Sequence, residues 1–189
     1  MVYCFNLYNK FAADGTYAAL KKICLALNAP PVVVCIGSDL SVGDSLGPIV
    51  GTLLSERLAQ KNIFIYGTLS KPVTAREASH IKSFIKHSHP GCKVIAIDAA
   101  VGNAGDVGLI KILPFGLKPG SGAAKNLARI GDVSVMGVVA EKSPFNYALF
   151  SATRLSMVYK MAEIISGGVC DFLCDYLQTC GNKSGDAFV

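Results

Sequence analysis

Five short runs rich in β-branched residues constrain this chain more than anything else in it: residues 31–37 (PVVVCIG), 62–67 (NIFIYG), 93–98 (KVIAID), 107–113 (VGLIKIL) and 132–139 (DVSVMGVV). They are apolar almost without interruption, as strands are when a sheet is covered on both faces. The segments between them supply the cover. Leu46, Ile49, Val50, Leu53, Leu54 and Leu58 recur at helical spacing, and Thr74-x-x-Glu77 is a capping box ahead of Ala78, Ile81 and Ile85. A long helix is expected after the last strand, with Ser143 as N-cap and Pro144 in its first turn. Its core stripe would be Leu149, Ala152, Leu155, Val158, Ala162 and Ile165, and Gly167-Gly168 its stop. A helix over 16–27 precedes the first strand, and a short one over 169–178 ends the fold.

Strands alternating with helices predict an α/β fold, a three-layer αβα sandwich with a mainly parallel sheet and right-handed crossovers. The 189 residues suit one such domain, at roughly 150 residues per domain. It is placed at residues 31–180, behind an N-terminal helical extension at 1–30 and ahead of a tail at 181–189 expected to fray.

Charge and cysteine usage narrow the partners. Eighteen Lys and Arg against 13 Asp and Glu leave a formal +5 with no run of like charges, so nucleic acid is not expected and an acidic protein or peptide substrate is compatible. No apolar stretch approaches the ~20 residues that cross a bilayer, so no membrane partner is expected. The opening Met1-Val-Tyr-Cys-Phe-Asn has neither the basic nor the continuous apolar region of a secretory signal, which makes the cytoplasm the expected compartment. The seven cysteines are odd in number and form no CxxC pair, a pattern of reduced, packed thiols. Cys170 and Cys174 lie one helical turn apart but have no His or second Cys pair at zinc spacing.

In an open α/β sheet, ligands bind beyond the carboxyl ends of the strands. The first strand runs into Gly37-Ser-Asp39-Leu-Ser-Val-Gly43-Asp44-Ser-Leu-Gly47-Pro48, which delivers Asp44 to a helix start; with Ser45 as N-cap, Pro48 falls at the third helical position. The third strand ends at Asp98 after three apolar residues. Two acids at one rim suit hydrolysis: Asp44, biased toward ionisation by the helix N-terminus, takes a proton from water while a protonated Asp98 donates to a carbonyl oxygen, the roles being interchangeable. Gly37, Asp39, Ser45 and Lys118 are the candidate substrate contacts, and the loop Leu117–Lys125 is a candidate lid or substrate edge. No cofactor is required; a divalent metal between Asp44 and Asp98, with Asp39 as an additional oxygen ligand, is the alternative. The histidines 80, 87 and 89 belong to the helix leading into the third strand and are expected at the opposite rim, which disfavours a Ser-His-Asp triad. The glycine loop lacks GxGxxG and the GK-Ser/Thr ending of a P-loop, so it is a weak nucleotide signal.

Cys35 to Pro48, Tyr66-Gly-Thr-Leu69 with Pro72-Val73, Ile97-Asp98-Ala99, Lys118-Pro-Gly120 and Thr153-Arg-Leu-Ser-Met-Val-Tyr-Lys-Met-Ala162 together resemble the YyaC-type sporulation protein family, over about residues 31–166. That family is similar to the spore germination protease and, more distantly, to hydrogenase maturation endopeptidases. The resemblance implies a phosphorylase/hydrolase-like α/β fold, a peptidase of spore-forming bacteria and a spore or forespore compartment. Asp44 and Asp98 fall on the positions that match the paired acids of the germination protease. In the hydrogenase peptidases the same positions match carboxylate metal ligands, whose histidine partner has no counterpart here. Leu40, where the family carries a basic residue, and the stretch Val139–Pro144 depart from the pattern. The departures leave open a non-catalytic binding or regulatory module on a protease scaffold.

Overall fold

A computed structural model gives the structure of the chain and describes residues 1–25, 27, 29–119, 129–142 and 153–185, with side chains as far as Thr179. Val32–Cys35 form strand β2, every residue of which is buried. It sits between β3 (Ile65–Tyr66) and β4 (Val94–Gly102), parallel to both. β6 (Val133–Glu141) extends the parallel set beside β4. β5 (Leu109–Leu113) and then β1 (Tyr3–Asn6) add antiparallel pairings, closing a six-stranded mixed sheet of order β1-β5-β6-β4-β2-β3.

The two faces are covered unequally. On one, Val33, Cys35, Ile95, Ile97, Val133 and Val135 pack under helices α1 (Ala12–Ile23), α2 (Leu46–Arg57) and α4 (Leu155–Gly185). On the other, Val32, Val34, Ile36 and Ala96 meet Ala78 and Ile85 of α3 (Ala78–Ser88), with Leu117 and Ile130 beside them. The predicted αβα layering is therefore the one observed, and the continuous apolar strands are continuous because both layers are real.

Several elements differ from the sequence expectation. β1 was not anticipated: its Tyr3 and Phe5 face the core while Cys4 and Asn6 face out, a four-residue edge strand too short to signal itself. The helix expected over 16–27 begins earlier, at Ala12, and buries Ala12, Thr16, Ala19 and Leu20. Gly167-Gly168 does not stop the last helix, which runs from Leu155 to Gly185 and absorbs the separate helix expected over 169–178. The glycines serve packing instead, since a Cβ at residue 168 would lie 2.5 Å from the Ala13 carbonyl oxygen and 2.6 Å from Thr16 Cβ on α1. The expected cap at Ser143-Pro144, with Leu149 and Ala152, lies outside the described residues, as do residues 186–189 of the tail. The expected capping box is only half formed: Glu77 Oε2 accepts the Thr74 N–H at 2.8 Å, but the Glu77 N–H donates to the Thr74 carbonyl at 3.0 Å rather than to its hydroxyl, and Glu77 itself is the N-cap of α3.

Gly168→Ala is a sharp test of this packing. In an open helix the change would stabilise by about 1 kcal/mol; here the added methyl must displace α1, at a cost of about 1–3 kcal/mol. A lowered thermal midpoint is expected, and a raised one would show that α1 and α4 are not in this contact.

Candidate active site

The loop after β2 is shaped by backbone touching backbone. Gly37 adopts φ +141°, its N–H donates to the Val73 carbonyl at 2.9 Å, and a Cβ there would strike the carbonyl oxygen of Asp44. Ten residues on, a Cβ at Gly47 would strike the carbonyl oxygen of Ile36. Bare backbone at these two positions lets the start of α2 lie directly on the end of β2. Between them the chain winds into the 3-10 turn η1 (Gly43–Ser45), where the Asp44 N–H donates to Ser41 O and the Asp44 carbonyl accepts from Ser38 N–H, both at 3.1 Å.

Asp44 is thereby half-buried. Burial pushes its carboxyl above the usual range, and the Ser38 amide offsets this only in part. This reverses the expected bias toward ionisation: the turn that places Asp44 at a helix start also takes away its water.

Asp98 lies on β4 opposite Met136 of β6 and is 7% exposed. Strand alternation puts it on the face of Val94 and Ala96, beneath α3, whereas η1 and α2 belong to the other face. β2 pairs with β4 only as far as Cys35 and Ile97, and the Ile36 N–H closes on the Ile97 carbonyl at 2.7 Å. Asp98 is thus the first β4 residue beyond the end of β2, at the point where no strand separates the two faces. η1 packs against β4 at this edge.

The remaining candidates are placed variously. Asp39 and Lys118 are exposed, Lys118 following Leu117 on the α3 side. Gly37 and Ser45 are buried, and the Ser45 hydroxyl donates to Val42 O at 2.7 Å. Pro48 is the third residue of α2, as expected. Only residues up to Pro119 of the candidate lid are described. Sequence reasoning passed over Ser41, whose hydroxyl is buried with no hydrogen-bond partner among the described residues. Nothing in the one-letter code distinguishes it from the serines around it.

The histidines divide. His89 is fixed at the amino-terminal rim, its Nε2 2.7 Å from the Tyr66 hydroxyl and its ring 4.2 Å from that of Phe64. His87 ends α3 beside it. His80, expected at that rim too, lies in the first turn of α3 and so at the carboxyl end of the parallel strands, exposed. Among the described residues no three of His, Cys, Asp and Glu cluster to hold a metal. Asp44 and Asp98 thus have no third carboxylate, histidine or cysteine clustered with them among the described residues. The described cysteines are unbridged, and burial raises the Cys170 thiol to about 11.

A family model described as "Protein of unknown function (DUF1256)" matches residues 4–168. The chain belongs to this family. It is 40% identical over 144 residues, 76% of its own length and 70% of the relative's, to the "Uncharacterized protein YyaC" of Bacillus subtilis (strain 168). Among solved structures it is similar to the NiFe hydrogenase maturation protease HycI from Thermococcus kodakarensis KOD1, with a TM-score of 0.50 and 17% identity, covering 77% of this chain and 94% of that one. At that identity the likeness shows the fold: this member of the family has an open α/β sheet of the kind found in that protease. No helix among the described residues is long and apolar enough to cross a membrane.

The burial of Asp44 has a measurable signature. Its folded carboxyl is raised above the unfolded one, so it adds stability at pH below the ordinary carboxylate range and loses that contribution as pH rises through the raised value. Asp44→Asn, which keeps an acceptor for the Ser38 amide, is expected to raise the thermal midpoint at neutral pH. The gain should shrink toward zero as the pH approaches 4. A variant destabilised at every pH would contradict the burial account.

Proposed function

We propose that this chain is a sporulation-associated peptidase that cleaves a protein substrate with Asp44 and Asp98 as paired acids and no cofactor. The observation that carries the reading is the half-buried Asp44 on a turn packed against β4, the strand of Asp98, at the carboxyl end of a protease-like sheet. Sporulation and the forespore compartment enter through the resemblance of the sequence motifs to the YyaC-type family, and the cytoplasm through the opening residues of the sequence.

In this reading Asp44 holds the proton, the reverse of the assignment its helix start suggests, because burial favours its neutral form. Water attacks the peptide carbonyl carbon, Asp98 takes the water proton, and Asp44 donates to the carbonyl oxygen. Collapse of the tetrahedral intermediate returns the oxygen's proton to Asp44 and breaks the C–N bond, and the departing amine takes the proton from Asp98, so both acids regain their starting state. Gly37, Asp39, Ser45 and Lys118 belong to the substrate edge in this proposal, and the buried Ser41 hydroxyl has hydrogen-bonding capacity left for a water.

Incubation with small acid-soluble spore proteins, followed by mass spectrometry, tests this. Wild type is expected to give discrete fragments. Asp44→Asn and Asp98→Asn should each lower the rate by about 10²–10⁴-fold while still melting cooperatively. Full activity in both variants would refute the paired-acid reading. Chelation by EDTA is expected to leave turnover unchanged, and loss on chelation with recovery on adding zinc or magnesium would establish the metal-dependent alternative.

Leu40 favours a second reading. It is 92% exposed at the outer part of the Asp44 loop, an apolar side chain offered to a partner. On that reading the chain is a binding module on a protease scaffold, and the same incubation yields a stoichiometric complex without fragments.

A further inference from the structure

The Thr153–Ala162 motif is not used by the paired acids, yet it lines a cavity of about 540 Å³, within the size range of small-ligand sites. The cavity is an open cleft between the turn after β1, the end of β6 and the first turns of α4. Leu7, Val139 and Met157 contribute to an apolar floor, and Arg154, Lys160 and Glu141 stand among its polar lining. β6 makes the space: its pairing with β4 shifts between Ala100 and Val101, leaving Val139 as an extra residue opposite no partner. The Thr153 hydroxyl donates to that residue's carbonyl at 3.4 Å and ties the start of α4 across the bulge.

Charge decides what the cavity takes. Lys160 Nζ lies 4.8 Å from the centroid of the exposed Tyr8 ring, a weak contact that biases the ammonium toward the cleft. Among the described residues neither Lys160, Arg154 nor Glu141 forms an ion pair. Two cations against one carboxylate leave the lining short of one negative charge above an apolar chamber. We propose that the cavity binds the free C-terminus of a peptide ending in an apolar residue, with the side chain in the chamber, the α-carboxylate with Lys160 and Arg154, and a backbone N–H donated to Glu141. A fatty acid would satisfy the chamber and the cations but leave Glu141 without a donor. The proposal stands whether or not the chain cuts peptide bonds.

Calorimetric titration of the full chain with acetyl-Ala-Ala-Leu, its C-terminal amide and octanoate tests it. The free acid is expected to bind about tenfold more tightly than the amide, and octanoate no better than the amide. Lys160→Gln and Arg154→Gln, both at exposed positions, should each weaken the acid about tenfold and leave the amide unchanged. Asp44→Asn should bind the acid like wild type, which separates this site from the peptidase reading. Equal affinity for acid and amide, no binding, or no effect of either cation variant would overturn carboxylate recognition. Octanoate matching the peptide would overturn the peptide end as ligand.

Discussion

Everything at the carboxyl rim depends on α2 lying with its backbone against the end of β2. Helices ordinarily ride on a sheet with side chains between them, about 10 Å away. Here Gly47 removes that spacer and the helix start meets the Ile36 carbonyl. The loop joining them cannot bulge outward, so η1 is pressed over the strand end and against β4. The raised carboxyl of Asp44 follows from this contact rather than from a separate device: a turn held that close excludes water from the side chain it carries.

The rim is also uneven. β2 leaves the sheet after pairing Cys35 with Ile97, while β4 continues to Gly102 beside β6. At about 3.3 Å per residue the two long strands stand roughly 16 Å proud of their neighbour. Asp98 lies at the foot of this ledge and the cavity under α4 at its tip, where Val101 and Gly102 pair with Ala140 and Glu141. Asp98 faces α3 and the cavity faces α4, so the two proposed sites use opposite faces of the same pair of strands.

How much of this the sequence carries depends on the range of the forces involved. Local and periodic signals were legible: Val32–Cys35 and the other apolar runs, the α2 stripe and the arrival of Asp44 at the start of α2 all follow from neighbours in the chain, whereas the strand expected to end at Asp98 runs on to Gly102 because β6 continues to pair with it. Features set by distant contacts were not. Gly167-Gly168 reads as a helix stop until α1 is known to lie against it. His80 was assigned with its helix rather than with its turn of that helix. β1 is held by pairing Tyr3–Asn6 with residues more than a hundred positions away. The sign of the Asp44 shift needed its burial, which no spacing encodes, and the bulge at Val139 leaves no trace in an apolar run.

The two acids also differ in how firmly the fold holds them. Asp98 is embedded in β4, its backbone in register with Met136 and both flanking residues paired, so its Cα cannot shift without breaking a ladder. Asp44 sits on a turn held by single backbone bonds to Ser41 and Ser38, and a short 3-10 turn has poorer hydrogen bonds than a strand ladder. In the proposed reaction the group that delivers a proton must follow an oxygen that moves as the carbonyl carbon becomes tetrahedral, whereas the group that receives water's proton benefits from being fixed. Within the proposed reaction, compliance and burial both favour Asp44 as the donor, and the rigidity of β4 favours Asp98 as the acceptor.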